Sequence, residues 1–334
     1  MTKDWKAFLS ESNSEFTNIA ENNNADSEKM LFDLSDQGLL KVSGEDAESF
    51  LQNQLTNDIR NVTESTHQAS AWCSPKGRII ANFQIFMRDG SYFLTVSADL
   101  IEHVIKKLRM YVMMSKVTVE DVTESMVHFG FVGNLEKLIG DTIPRDSNQT
   151  LQYNNLTILK LSDNQPRYEI FAYASNISDA KQLWEQCSTD AVAISNNGWN
   201  YLNIVAGLPS ISEASSEAWI PQMVNYIAIG GVDFKKGCYP GQEVVARLNY
   251  LGKTKRRMYR LQINTGQLPN IGDAIASDSD KAAGKILNAA INPKGVVESL
   301  AIMKISETEK PLTLANDAKT SIALLELPYS MDDA

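Results

Sequence analysis

The segment with the greatest chemical potential is Lys235-Lys236-Gly237-Cys238-Tyr239-Pro240-Gly241-Gln242-Glu243. Gly237, Pro240 and Gly241 predict a tight, exposed turn. The two lysines beside Cys238 favour a thiolate, the form in which a cysteine attacks or ligates. These residue types describe a reactive or ligand-facing thiol, although a small side chain that merely fits a turn satisfies the same spacing. The three histidines, His67, His103 and His128, are remote in sequence and sit in no partner motif, which speaks against a Cys–His nucleophilic pair. Cys73, beside Trp72, and Cys187, ending an amphipathic segment, read as structural.

The surrounding region is strongly basic. Lys235, Lys236, Arg247, Lys253, Lys255, Arg256, Arg257 and Arg260 are opposed there only by Glu243, in a chain of net charge −10. A concentrated basic strip on an acidic body draws an anionic partner to one place. Tyr239, Tyr250 and Tyr259 are interleaved with it. Planar groups among cations suit a stacked anion, such as a pterin with a glutamate tail or a nucleic-acid strand. Arg247, after Val244-Val245-Ala246, reads either as the end of an apolar strand or as an anion contact. Trp199 reads equally as core and as a ligand-stacking residue.

The frame that must hold these residues is 334 residues long, enough for two or three domains. Apolar residues at 43% and charged residues at 22% exclude a largely disordered chain. No apolar run approaches the roughly 18 residues that span a bilayer, and Met1 to Met30 lacks a signal-peptide pattern. Three cysteines exclude a disulfide scaffold and a paired C-x-x-C metal site, so no metal is expected and a reducing cytoplasm is the natural setting.

Residues 1–30 read as a weakly ordered lead-in, with Asn22-Asn23-Asn24 in a row and Trp5, Phe8 and Leu9 isolated. A strand over 39–42 and a helix carrying Ala47, Phe50, Leu51 and Leu55 follow. Strands over 79–87 and 92–97 join at Asp89-Gly90, a hairpin signal because both central residues of a type I′ turn need positive φ. A helix over 99–114 and a strand over 117–122 complete a β-α-β-β-α-β, ferredoxin-like domain over 31–125. A second α+β domain, 126–250, is predicted from strands near 127–132, 156–161 and 167–173, a helix over 178–187 and another over 197–206. From 251 to 334 the period changes to two, with strands over 257–263, 283–291, 298–305 and 320–326, which predicts a small antiparallel β-barrel or sandwich.

Lys236-Gly-Cys-Tyr-Pro-Gly-Gln-Glu243 resembles the K-G-C-Y-x-G-Q-E motif of the YgfZ family, folate-binding tRNA-modifying proteins related to the aminomethyltransferase (T-protein) of the glycine cleavage system. Trp199 to Pro209, Ile220-Pro221-Gln222, Asn225, Thr56-x-Asp58, Lys76-Gly77 and the ending Leu327-Pro328-Tyr329-Ser330 are similar as well. The resemblance implies two α+β modules and a C-terminal antiparallel β-barrel in a ring around a folate-sized hole. It further implies folate (tetrahydrofolate or a derivative) as cofactor, and a cytoplasmic, monomeric accessory protein with no membrane contact. Such a protein would assist tRNA methylthiolation by an iron–sulfur tRNA-modifying enzyme, iron–sulfur maintenance, and control of replication initiation. Cys238 matches the motif thiol. Lys236, Gly237, Tyr239, Gly241, Gln242, Arg247, Arg256 and Arg257 are the expected motif and anion contacts, and Trp199 matches a folate-associated tryptophan.

Three departures stand out. Gln37 occupies the place of a second folate-associated tryptophan. Val205 stands where the T-proteins carry the glutamate that holds the pterin, which leaves another acceptor, such as Glu243, to serve. Ala81-Asn82 replaces an Asp-Asp pair used in their chemistry, so aminomethyl transfer is not expected and the chain reads as a binding factor. Two alternatives remain: a folate-dependent one-carbon transferase with Cys238 as nucleophile or carrier, and a tRNA-binding module using residues 247–260.

Overall fold

The computed structural model describes residues 3–12, 16–20, 29–140, 143–163, 165–252 and 254–331. The Asn22–Asn24 run and Lys253 lie outside them. Helix α1 (Lys3–Glu11) precedes strands β1 (Met30–Asp33) and β2 (Gly38–Ser43), helix α2 (Ala47–Gln52), and strands β3 (Gln68–Cys73), β4 (Ile79–Arg88) and β5 (Ser91–Val96). Helix α3 (Ile101–Val112), β6 (Thr118–Asp121), β7 (Met126–Val132), α4 (Glu136–Ile139), β8 (Thr150–Tyr153), β9 (Leu156–Lys160) and β10 (Arg167–Tyr173) follow. Then come α5 (Ser178–Ser188), β11 (Val192–Ile194), α6 (Asn196–Val205) and α7 (Gln242–Leu251). The last strands are β12 (Arg256–Ile263), β13 (Ala274–Ser277), β14 (Asp280–Ile291), β15 (Val297–Lys304), β16 (Leu312–Leu314) and β17 (Asp317–Leu325).

One sheet has the order β3-β4-β5-β2-β6, with β5 between β2 and β4 as a split βαβ unit requires, and β3 added at its edge. Its hairpin turns at Asp89 and Gly90, both at positive φ (49° and 67°), as a type I′ turn demands. A six-stranded sheet runs β11-β1-β7-β10-β9-β8, and β12-β15-β14-β13-β16-β17 close into an antiparallel barrel. The α+β class with a C-terminal barrel is therefore the observed one.

The lead-in differs from expectation. Trp5, Phe8 and Leu9 recur at helical spacing on α1 and are buried, with Trp5 against Phe129 (5.7 Å) and edge-on to Trp184 (5.6 Å). Three large apolar side chains on one face suffice to anchor a nine-residue helix whose own propensity is marginal. Contacts also divide the chain along other lines than 125 and 250. One compact unit comprises Met1–Gln52, Ile59–Gln68 and Phe83–Trp199, the other Asn53–Asp58, Ala69–Asn82 and Asn200–Ala334. In the first unit the reason is strand pairing: β1 lies antiparallel to β7 and parallel to β11. In the second, Asn225 bridges to the barrel by donating from Nδ2 to the Met258 carbonyl at 2.9 Å.

Candidate functional site

Cys238 is solvent-exposed, whereas Cys73 and Cys187 are buried and burial pushes both of those thiols up to about 12. The turn that presents it is held by backbone contact. Gly241, at φ 81°, begins α7, and a Cβ built on it would stand 2.4 Å from the Ser74 carbonyl oxygen and 2.6 Å from the Gly77 Cα. Only glycine fits that approach. The expected arrangement of two cations beside the thiol is corrected by the fold. Lys235 is exposed, but Lys236 is buried, donates from Nζ to the Leu55 carbonyl and lies 5.3 Å from the centre of the Tyr239 ring.

A buried polar scaffold supports this loop. Thr56 Oγ1 donates to the Gly231 carbonyl (2.7 Å) and accepts from the Ala71 amide (2.9 Å). Asn57 Nδ2 donates to the carbonyls of Ala69 (2.9 Å) and Gly230 (2.7 Å). The Asp233 amide donates to the Thr56 carbonyl at 3.0 Å, and the Tyr226 hydroxyl donates to Ser70 at 3.0 Å. Each bond contributes only about 1 kcal/mol net, but an unmade partner in such a place costs more, so the set specifies one loop conformation. Thr56-x-Asp58 and Lys76-Gly77 stand out in the sequence only by their resemblance to the family, and their part in carrying the thiol loop emerges in the fold. Small polar residues beside a strand of small side chains were the available signal.

The Val244-Val245-Ala246 run is helical, not a strand, because α7 starts at Gln242 and places Val245 inward and Arg247 outward. Glu243 is exposed in the first turn, where its charge favours the helix terminus. The basic strip is thinner in space than in sequence. Arg260 forms a pair with buried Glu298 (Nε–Oε2 2.8 Å, Nη2–Oε2 2.6 Å), and Arg257 donates to the Met331 carbonyl at 2.8 Å. Lys235, Arg247 and Lys255 are exposed, and Arg256 is half-buried. Of the interleaved tyrosines only Tyr250 presents its ring to solvent, edge-on to Phe234 at 5.7 Å. Tyr239 is buried with a hydroxyl that has no partner among the described residues, and burial, helped by nearby Cys73, pushes that hydroxyl well up.

Asn82 is fully engaged: Nδ2 donates to the Pro209 carbonyl (2.8 Å) and Oδ1 accepts from the Ile211 amide (2.8 Å). Tyr329, in the C-terminal motif, donates its hydroxyl to the Gly207 carbonyl at 2.9 Å.

Gln37 and Trp199 belong to the other compact unit. Gln37 is half-buried in the turn between β1 and β2, its amide bonded to the Leu34 carbonyl. Trp199 is 1% exposed, 5.1 Å from Phe32, with the Arg167 guanidinium 4.8 Å over its ring. A Cβ on Gly130 would meet that indole at 2.6 Å, so Trp199 covers Gly130 on the face where side chains emerge.

The register between β10 and β7 pairs Arg167 with Val132, Glu169 with Gly130 and Phe171 with His128, so all six share that face. His128 and Glu169 are 4% and 6% exposed, with Nε2 and Oε2 3.8 Å apart. Burial pushes Glu169 up to about 7, against the opposing charge of Arg167, and holds His128 down to about 3. Alternating charge on a strand ordinarily marks its wet face, so the sequence alone gives no sign that this group is buried.

Residues 5–167 match the GCVT N-terminal domain family. A tRNA-modifying protein YgfZ from Photorhabdus laumondii subsp. laumondii is 32% identical over 312 residues, covering 91% of this chain and 93% of its own length. The chain belongs to the YgfZ family. The YgfZ protein of Colwellia psychrerythraea is 31% identical over 317 residues, covering 91% of this chain and 94% of its own. Among solved structures, the glycine cleavage system aminomethyltransferase T from Bartonella henselae superposes with a TM-score of 0.74 at 14% identity, covering 98% of this chain and 97% of that one. This YgfZ-family member therefore has the T-protein fold. Among the described residues no helix is long and apolar enough to cross a membrane.

Proposed function

We propose that this protein is a folate-binding accessory factor of tRNA modification, acting in the cytoplasm with an iron–sulfur tRNA-modifying enzyme, and that Cys238 is its functional thiol. The observation that carries the reading is the pairing of an exposed Cys238 with a buried polar scaffold that fixes its loop. A thiol kept accessible by a loop that admits no bulk at Gly241 is arranged for contact with something outside the chain.

A reduced folate supplies a carrier of one-carbon units when bound. The residues fit its pterin in one respect: Trp199, whose indole Nε1 has no partner among the described residues, covers Gly130 on the strand face that also carries the buried Glu169. The T-protein-like chemistry does not carry over with the fold. Asn82 uses both ends of its amide to hold the 209–211 segment, so it is a structural residue and not a proton carrier. Lys235, Arg247, Lys255 and Tyr250 are exposed cationic and aromatic side chains within reach of solvent, and they would serve tRNA or the glutamate tail of folate.

The test is complementation of a cell lacking the gene with wild type or Cys238→Ala, followed by the tRNA modification profile. Restoration by wild type only supports the reading; equal restoration by both would remove Cys238 from it. Anaerobic calorimetry with tetrahydrofolate tests the cofactor, and absence of binding by wild type refutes it.

A further inference from the structure

We infer that Glu169 is the carboxyl that receives the paired N–H donors of the pterin in this protein, the part that Val205 cannot play. The inference rests on the folate reading above and names a residue within it.

Buried polar atoms without partners are rare in folded proteins and call for a physical explanation. Three side chains at one face of the β7–β10 pair carry one each: Glu169 (Oε2) and His128 (Nε2), which emerge from it, and Trp199 (Nε1), whose six-membered ring covers Gly130 there. Their residues are at least nine-tenths buried. The 3.8 Å between His128 and Glu169 is too long for a direct hydrogen bond, so neither satisfies the other. The three differ in kind. The indole N–H only donates, an ionised carboxylate only accepts, and a neutral imidazole nitrogen does either.

The complement of that set is a flat edge offering adjacent N–H donors next to a carbonyl acceptor. The amino-pyrimidinone edge of a pterin has this pattern: an exocyclic amine and a ring N–H side by side, then a carbonyl oxygen. Glu169 would accept from the two donors, and Trp199 Nε1 would donate to the carbonyl. Charge-assisted bonds of this kind are the strong ones and also the geometrically selective ones. The Arg167 guanidinium, tied through Nε to Asp163 at 2.9 Å, already lies as a flat cation over the Trp199 ring. It would offset the carboxylate charge without competing for Oε2. Because Trp199 is 1% exposed, entry of a ring requires this indole to move, and binding should change tryptophan fluorescence.

Glu243, the other candidate acceptor, is exposed at the start of α7, where water satisfies its oxygens. It lacks the unmet bonding demand that Glu169 has.

Calorimetric titration of tetrahydrofolate into the full-length wild type, Glu169→Leu and Glu169→Gln decides the matter, with thermal melting of each variant as a folding control. The expected result is a tenfold or greater loss of affinity in Glu169→Leu at an undiminished melting temperature. A smaller loss in a folded Glu169→Leu protein overturns the inference and leaves the folate reading standing. Failure of wild type to bind overturns both. Should the leucine variant not fold, the near-isosteric glutamine variant carries the same criterion.

Discussion

Gly241 and Ser74 are in backbone contact: a single added methyl group on Gly241 would lie 2.4 Å from the Ser74 carbonyl oxygen. The presentation of Cys238 depends on that closeness, because the turn before α7 can pack on the Ser74–Gly77 loop only where a side chain is missing. Gly241→Ala should therefore destabilise the protein by about 1–3 kcal/mol, combining a positive φ with an overlap against backbone. Urea unfolding measures this, and an alanine variant as stable as wild type would contradict the packing.

Thiol titration separates the cysteines. With Cys238 exposed and Cys73 and Cys187 buried, a native sample should react rapidly with one equivalent of a chromogenic disulfide, and Cys238→Ala with none. All three should react after denaturation. Rapid labelling of the native Cys238→Ala protein would show that a second thiol is reachable.

Helix α1 is a structural element of the first unit. Trp5 fills a place between Phe129 and Trp184, so Trp5→Ala should cost about 3–5 kcal/mol. Loss of less than 1 kcal/mol in chemical denaturation would mean that α1 is dispensable.

The buried titratable groups set a pH dependence whose sign follows from proton counting. Burial holds His128 down to about 3 and His67 to about 4, both from 6.5, while it pushes Glu169 from 4.5 up to about 7. Between those unfolded values, the unfolded chain carries a proton on each histidine, whereas the folded chain carries one on Glu169 only. Unfolding there takes up one proton, so stability falls by about 1.4 kcal/mol per pH unit as the solution is acidified. The raised Glu169 works the other way and costs stability as pH climbs towards 7. Removing the imidazole in His128→Leu balances the count and should flatten the acid arm, while Glu169→Leu should double its slope. Denaturant midpoints across this range test both, and parallel curves for the three proteins would refute the assignment.

The barrel was legible because β12, β14, β15 and β17 are each eight residues or longer and are separated by turn-forming Gly, Pro, Asn and Asp. Strands β13 and β16, of four and three residues, carry too few side chains to show a period. Helix α7 escaped for a related reason: three apolar residues in succession fit a strand, and only the Gly241 start reveals the turn into a helix. The eight-residue motif located the thiol, but the partners of its loop come from residues 54–82, far away in sequence. The Glu169–His128 pair was invisible because burial of a charged strand residue depends on what packs across the sheet.

The two-sided grip of Asn82 also limits what can stand at that position. An aspartate at that position could still receive the Ile211 amide, but it would set a negative oxygen against the Pro209 carbonyl and leave that carbonyl without its donor. Placing an acid here by one substitution would thus loosen the very segment that the amide fastens. Position 82 is in effect locked: a carboxylate could take it only after the Pro209 carbonyl had found another donor.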